Sequence, residues 1–330
     1  ACSVCFLSIF SDIILGFVQY AAMVCSHNML SDNIRQACRI GKLAMTVLKR
    51  FDSSTDQVAR LFSIYYGFVA LYSEQAQSVV DNLCKGFECG IATGDTSAGS
   101  VCAIMHVRTS LIAGMNLHTI LERIDYYLDI MFKHGNQSAK THLLLYRDTI
   151  SILMGKECRN SSEVQDDTTK FLAEALYYHK AMRAYWSGHS ERSHYFVEKL
   201  FQGINNSGGR HQRRFFLLYY GLNSFKVMKQ TSSQKLKAVP RDVLKALKVA
   251  ACYSEGNFRS KVHLLEAEIF SREGSNEEAR ASYDASIEYA RSSKFVHEQG
   301  LACELAGLHC RKVGDNMSAW SFFNQAKQCY

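Results

Sequence analysis

Apolar residues recur at intervals of three and four along almost the whole chain, and strict alternation is hard to find. That period places them on one face of successive α-helices rather than on strands. It predicts helices near 8–28, 32–51, 55–72, 75–92, 98–113, 117–134 and 138–154 in the first half. In the second half it predicts helices near 168–187, 190–204, 210–229, 240–253, 257–272, 276–292, 295–312 and 316–329. Between the two sets, GKECRNSSEVQDD (Gly155 to Asp167) is polar and aperiodic, and reads as a loop. It divides an N-terminal helical array, 1–154, from a C-terminal one, 168–330. NNSGG (Asn205 to Gly209) is a turn, and KQTSSQKLKA before Pro240 is a second polar insertion.

The last helices repeat. Gly274 recurs 40 positions on as Gly314, Ala279 as Ala319, Tyr283 as Phe323, and Ala267 as Gly307. Ala181 and Gly221 are also 40 apart, and the polar insertion lengthens the step from Gly221 to Ala267 to 46. A small residue on each helix of a pair lets the two backbones approach, while the aromatic one turn on fills the space beside them. Gly274 and Gly314 can take the left-handed conformation that ends a helix. Ser275 with Glu278 forms a capping-box pattern for the next helix, and Asp315 can cap at the same place. A single hairpin leaves one apolar face wet, so hairpins of this kind must stack on one another.

Composition narrows the class. One proline in 330 residues argues against an all-β or loop-rich chain. With 47% hydrophobic and 21% charged residues, the chain is neither disordered nor membrane-like in bulk. Its twelve cysteines are scattered. Cys2 and Cys5 form the single C-x-x-C, with no second pair to complete a zinc site. Buried free thiols, and hence a reducing cytoplasm, are expected. The opening ACSVCFLSIFSDIILGFVQYAAMVC is apolar, but it lacks a basic flank and carries Asp12 at its centre, so it reads as a buried helix. The first residue is not Met and the helical pattern runs up to Tyr330, so a piece of a longer protein is expected.

Asn257 to Tyr330 resembles the tetratricopeptide-like segment of large multidomain signalling ATPases. In that family a serine/threonine-kinase-like region and a STAND-type ATPase precede the helical repeats. GAF and sensor histidine-kinase domains, or a nucleotide cyclase, follow them. The resemblance rests on Asn257, Phe258, Lys261, Leu264, Ala267 and Glu268; on Tyr283, Asp284, Ala285, Ile287 and Ala290; and on Ala302, Glu304, Leu305 and Ala306. Ser286 departs from the alanine of the family pattern. GKLAMTVLKRF (Gly41 to Phe51), YYGFV (Tyr65 to Val69) and GIATGD (Gly90 to Asp95) match more loosely. The resemblance implies an all-α, tetratricopeptide-like superhelix of helical hairpins. It implies a regulatory, protein-interaction role within a larger ATPase or kinase whose catalytic parts lie outside this sequence.

No catalytic constellation stands out. GDTSAGS (Gly94 to Ser100) has the glycine spacing of a phosphate loop but lacks the following Lys and a preceding strand, so a helix–helix turn is the better reading. His189 and His194 are five apart, which misses the helical spacing of a metal pair. No cofactor, metal, small-molecule substrate or membrane insertion is expected. Between Lys199 and Ser254, eleven Lys and Arg stand against one acid, Asp242. Within that run Arg210, Arg213, Arg214, Lys226, Lys229, Lys245 and Lys248 could form a basic surface for an acidic partner, a flanking domain of the same polypeptide or nucleic acid. A solvated face that keeps an array soluble is the better reading. The aromatics in RHQRRFFLLYYGLNSF could stack bases, yet Phe215, Phe216, Leu218, Tyr219 and Leu222 fall at core spacing. In tetratricopeptide arrays the first helix of each pair lines a concave groove. The repeat frame therefore turns Lys261, Leu264, Glu268 and Ser271 inward, followed by Leu301, Glu304, Leu308 and Arg311. Of these, Lys261, Glu268, Ser271, Glu304 and Arg311 are the candidate partner-binding residues.

Overall fold

The computed structural model describes residues 21, 23–25, 27–28, 33–51, 55–156, 170–202, 214–228 and 234–330. Among them every regular element is helical and no strand occurs. The α-helices are α1 (Ile34–Phe51), α2 (Thr55–Ile64), α3 (Ala76–Ala92), α4 (Thr96–Ile112), α5 (Leu117–Lys133), α6 (Gln137–Leu153) and α7 (Lys170–Trp186). They continue with α8 (Ser190–Gln202), α9 (Leu217–Met228), α10 (Gln234–Ala251), α11 (Glu255–Glu273), α12 (Asn276–Ser292), α13 (Val296–Lys312) and α14 (Asn316–Cys329). The described residues fall into two compact units. The first holds α1 to α6 apart from residues 112–116, and the second holds those five residues together with the chain from Leu176 onward. Residues 157–167 of the expected loop, most of the expected 8–28 helix, and Arg210, Arg213 and Lys229 lie outside the described residues.

In the first unit, α3 and α4 form a hairpin whose backbones touch. A Cβ on Gly90 would lie 2.7 Å from the Gly99 Cα. The glycines of GDTSAGS therefore serve a turn and a close helix crossing: Gly94 is left-handed (φ +81°), and Asp95 accepts from the Ala98 amide at 3.1 Å to start α4. The helix expected to run unbroken over 55–72 does not. After α2 the chain widens into a π-helical turn, Tyr65–Val69, and then a 3-10 turn, Ala70–Tyr72. Arg108 Nη2 donates to the Gly67 carbonyl at 2.5 Å, and Tyr65 donates to Glu74 Oε1 at 2.8 Å, so side chains hold this wider turn where the helical register is interrupted.

In the second unit each helix packs on the next, α9 on α10 and so on to α14, giving the solenoid-like succession of pairs that the repeat requires. Ala267, Ala279 and Ala319 are buried. A Cβ on Gly307 would stand 2.7 Å from the Phe323 ring, and one on Gly221 would stand 2.9 Å from Leu265, so both glycines are where helices meet. Gly274 (φ +84°) and Gly314 (φ +88°) are left-handed, as the turn demands. The amides of Ser275 and Asp315 each reach back to the carbonyl five residues earlier, Phe270 and Cys310, closing the two helices with the same motif. Lys294 occupies the same left-handed position in the intervening turn (φ +59°), with the Phe295 amide bonded to Ala290.

Two local expectations are corrected. Ser275 makes no side-chain cap; its turn is held by the bond from its amide to the Phe270 carbonyl. Asp315 does cap, accepting from the Ser318 amide at 3.0 Å. The helix expected to begin at Pro240 begins at Gln234 instead, with Pro240 in its interior. An interior proline costs a backbone hydrogen bond. Here Leu236, Pro240, Val243, Leu247 and Ala250 are all buried at helical spacing, and that apolar stripe carries the helix through the proline.

Candidate functional site

The groove stripe read from the sequence divides in two. Lys261 and Ser271 do not open to solvent. Both face α13, because first helices of neighbouring hairpins pack directly on one another. Lys261 Nζ lies 2.6 Å from Glu298 Oε1, with side chains 2% and 4% exposed. It also donates to the Asn257 carbonyl at 2.8 Å, and it stands 4.5 Å from the Phe295 ring centre, with Phe258 and Phe215 at 5.8 and 5.9 Å. Ser260 donates to the other Glu298 oxygen at 2.8 Å, so both carboxylate oxygens are held. Ser271 pairs with His309 Nδ1 at 2.8 Å, and Lys312 donates to the Ser271 carbonyl at 2.6 Å. These contacts join two hairpins, and they correct the expectation that Lys261 and Ser271 meet a partner.

Glu268, Glu304 and Arg311 are not enclosed in this way. Glu268 accepts from the Tyr283 hydroxyl at 2.6 Å and has Arg272 at 3.8 Å. Glu304 accepts from the Tyr330 hydroxyl at 3.1 Å, and no ion pair to it forms among the described residues. The Arg311 guanidinium lies 5.7 Å from the Phe323 ring centre.

Beside Glu304 lies an aromatic cluster contributed by different helices. Tyr185 and Trp186 end α7, Tyr219 comes from α9, and Tyr330 follows α14. Ring centres are separated by 4.8 Å (Tyr185–Tyr219), 5.6 Å (Tyr185–Trp186), 6.1 Å (Trp186–Tyr219) and 6.0 Å (Trp186–Tyr330). All four contacts are edge-to-face, the arrangement ring quadrupoles favour. Tyr185 and Tyr219 are buried, Trp186 is half-buried, and Tyr330 is 62% exposed. Burial, and then the charges of Glu268 and Glu304, push the Tyr185 phenol well above its ordinary range. Both carboxylates therefore act electrostatically on one aromatic surface. The sequence reading found the two acids but not Trp186 or Tyr330; the aromatic Tyr185–Trp186 pair at the end of a helix was the available signal.

Of the seven candidates for a basic surface, Arg214, Lys226, Lys245 and Lys248 are among the described residues. Lys245 pairs with Asp242 at 3.5 Å and Lys248 with Glu266 at 2.7 Å. Lys226 lies 5.2 Å over the Tyr185 ring, and Arg214 is half-buried. Phe215, Phe216, Leu218, Tyr219 and Leu222 are buried, as their spacing indicated. A crevice of about 360 Å³ between α12 and α14 is lined by Arg280, Asp284, Glu288, Arg291, Ser318 and Gln325. Arg280 lies 3.3 Å from Asp284, and Arg291 lies 2.8 Å from Glu288, which neutralises that surface.

Among the described residues no cluster of three or more His, Cys, Asp or Glu could hold a metal ion. No described helix is long and apolar enough to cross a membrane. No protein-family model matches the chain, and no curated protein matches it in sequence.

Proposed function

We propose that this chain is a non-catalytic protein-interaction region, and that its C-terminal hairpins form a tetratricopeptide-like superhelix. Its task is to take up a partner protein, or a flanking domain of the same polypeptide, and to relay that state to output domains. The signalling-ATPase setting rests on a sequence resemblance alone, specific over residues 257–330 and looser before them. The observation that carries the interaction reading is the Trp186–Tyr330–Glu304 surface, where half-open aromatics and a carboxylate converge from separate hairpins. Exposed aromatics over a rigid helical scaffold are the residue type that dominates binding energy at interfaces. A stack of hairpins suits a relay, because a ligand that prefers one arrangement of neighbouring repeats shifts the population by its differential affinity.

Selection from a displayed random-peptide library against the purified chain tests this. The expected outcome is a set of enriched peptides whose binding falls at least tenfold in Trp186→Ala. Enriched peptides that bind Trp186→Ala unchanged, or no enrichment at all, would remove the reading. Nucleic-acid binding is the competing outcome, and it would show as oligonucleotide retention that falls by ~10³–10⁵ between 50 and 200 mM salt for six to ten phosphate contacts.

A further inference from the structure

We infer, building on the interaction reading, that Trp186, Tyr330 and Glu304 form a subsite for an arginine side chain of a partner peptide. The glutamates of α11 to α13 give the contrast. Glu255, Glu266, Glu268, Glu273, Glu288 and Glu298 each have a cation within 4 Å, namely Arg259, Lys248, Arg272, Arg241, Arg291 and Lys261. Glu277 and Glu278, exposed in the first turn of α12, form no ion pair among the described residues; Glu304, by contrast, is half-buried and has none there either, its hydrogen-bond partner being the Tyr330 hydroxyl. It sits at an aromatic corner, where Trp186 and Tyr330 meet at 84° with ring centres 6.0 Å apart.

The cations of the neighbouring helices are engaged elsewhere. Lys226 lies over Tyr185, Arg272 lies 4.3 Å from the Phe225 ring centre, Lys312 donates to the Ser271 carbonyl, and Arg311 lies over Phe323. What the corner lacks is a cation that can lie flat on a ring and reach a carboxylate at once. A guanidinium does both, since it stacks on aromatic faces and pairs with carboxylate through a planar fork. An ammonium is a strongly hydrated point charge that fits this corner less well. Trp186 and Tyr330 are the sticking surface, and Glu304 sets the sign of the charge accepted.

Trp186 is one of two tryptophans in the chain, so Trp320→Phe leaves it as the sole indole reporter. In that background, acetyl-Gly-Arg-Gly-amide is titrated against the isosteric acetyl-Gly-citrulline-Gly-amide while indole emission is followed. The arginine peptide should give a saturable change at least tenfold tighter than the citrulline peptide. Glu304→Gln should abolish that preference while leaving the helical circular dichroism and its thermal midpoint in place. Equal titration of both peptides, no titration by either, or a preference that survives Glu304→Gln would overturn the inference. The library selection separates this failure from that of the broader reading. Trp186-dependent peptides without a basic residue would refute the arginine subsite alone, and no enrichment would refute both.

Discussion

Lys261→Met would take the cation away from a buried carboxylate 2.6 Å from it. At an effective dielectric of about 20, the attraction lost is roughly 6 kcal/mol before the desolvation cost of the pair is set against it. Glu298 would keep the Ser260 hydroxyl at 2.8 Å and His297 Nε2 at 3.9 Å, neither of which replaces a full charge. Breaking one side of a buried pair costs ~3–5 kcal/mol, because the other charge is left without compensation. Glu298→Gln is the milder lesion. The Lys261 ammonium then keeps the Asn257 carbonyl at 2.8 Å and the Phe295 face at 4.5 Å, a desolvated cation–π contact worth about 2 kcal/mol. The double variant Lys261→Met/Glu298→Gln is uncharged and should recover at least ~2 kcal/mol relative to the sum of the singles. Urea unfolding followed by helical circular dichroism reads all three, and with m of ~1–3 kcal/mol/M the Lys261→Met midpoint should fall by ~1 M or more. Single variants within ~1 kcal/mol of the parent, or strictly additive effects, would refute the idea that this pair joins the two hairpins.

Ala279→Leu and Ala319→Leu should each overpack a hairpin crossing and lower stability by ~1–3 kcal/mol. Ala281→Leu, on the exposed face of α12, is the matched control and should leave thermal unfolding nearly unchanged. Lys294→Gly should raise stability by ~0.5–1 kcal/mol, since φ +59° suits glycine and strains a side-chain-bearing residue; a lowered melting temperature would refute it. Burial, and then the Arg123 charge, lower the His106 imidazole from 6.5 to about 4. The folded state therefore holds His106 neutral while the unfolded chain takes up a proton below pH 6.5. The contribution is complete above that value and is lost as pH falls towards 4, amounting to on the order of 3 kcal/mol. His106→Leu should flatten the fall in urea midpoint between pH 7 and 4.5, and an unchanged slope would remove His106 as its cause.

Much of the helical framework could be read directly from residue spacing. A three-to-four period needs only local geometry, so helices such as α12 and α14 fall where periodicity put them. The 40-residue recurrence located Ala267, Ala279, Gly307 and Ala319 at crossings, because a helix pair tolerates only small side chains at its point of nearest approach. Local rules failed where distant residues intervened. The π-helical turn at Tyr65–Val69 depends on Arg108, 41 positions away from Gly67. The start of α10 depends on what buries Leu236 and Pro240, which no reading of Pro240 alone supplies.

The candidate site was legible only in part, for the same reason. Glu268 and Glu304 stood on the predicted stripe, and they do lie beside one aromatic surface. Lys261 and Ser271 stood on that stripe too, yet packing of α11 against α13 closed over them. A helical period fixes which residues share a face, but not what that face meets. The sequence by itself determined helices, turns and the small-residue register, all set by neighbours along the chain. Only the tertiary structure decided that Trp186 and Tyr330 converge on Glu304, since that meeting joins residues 144 positions apart and depends on how several hairpins stack between them.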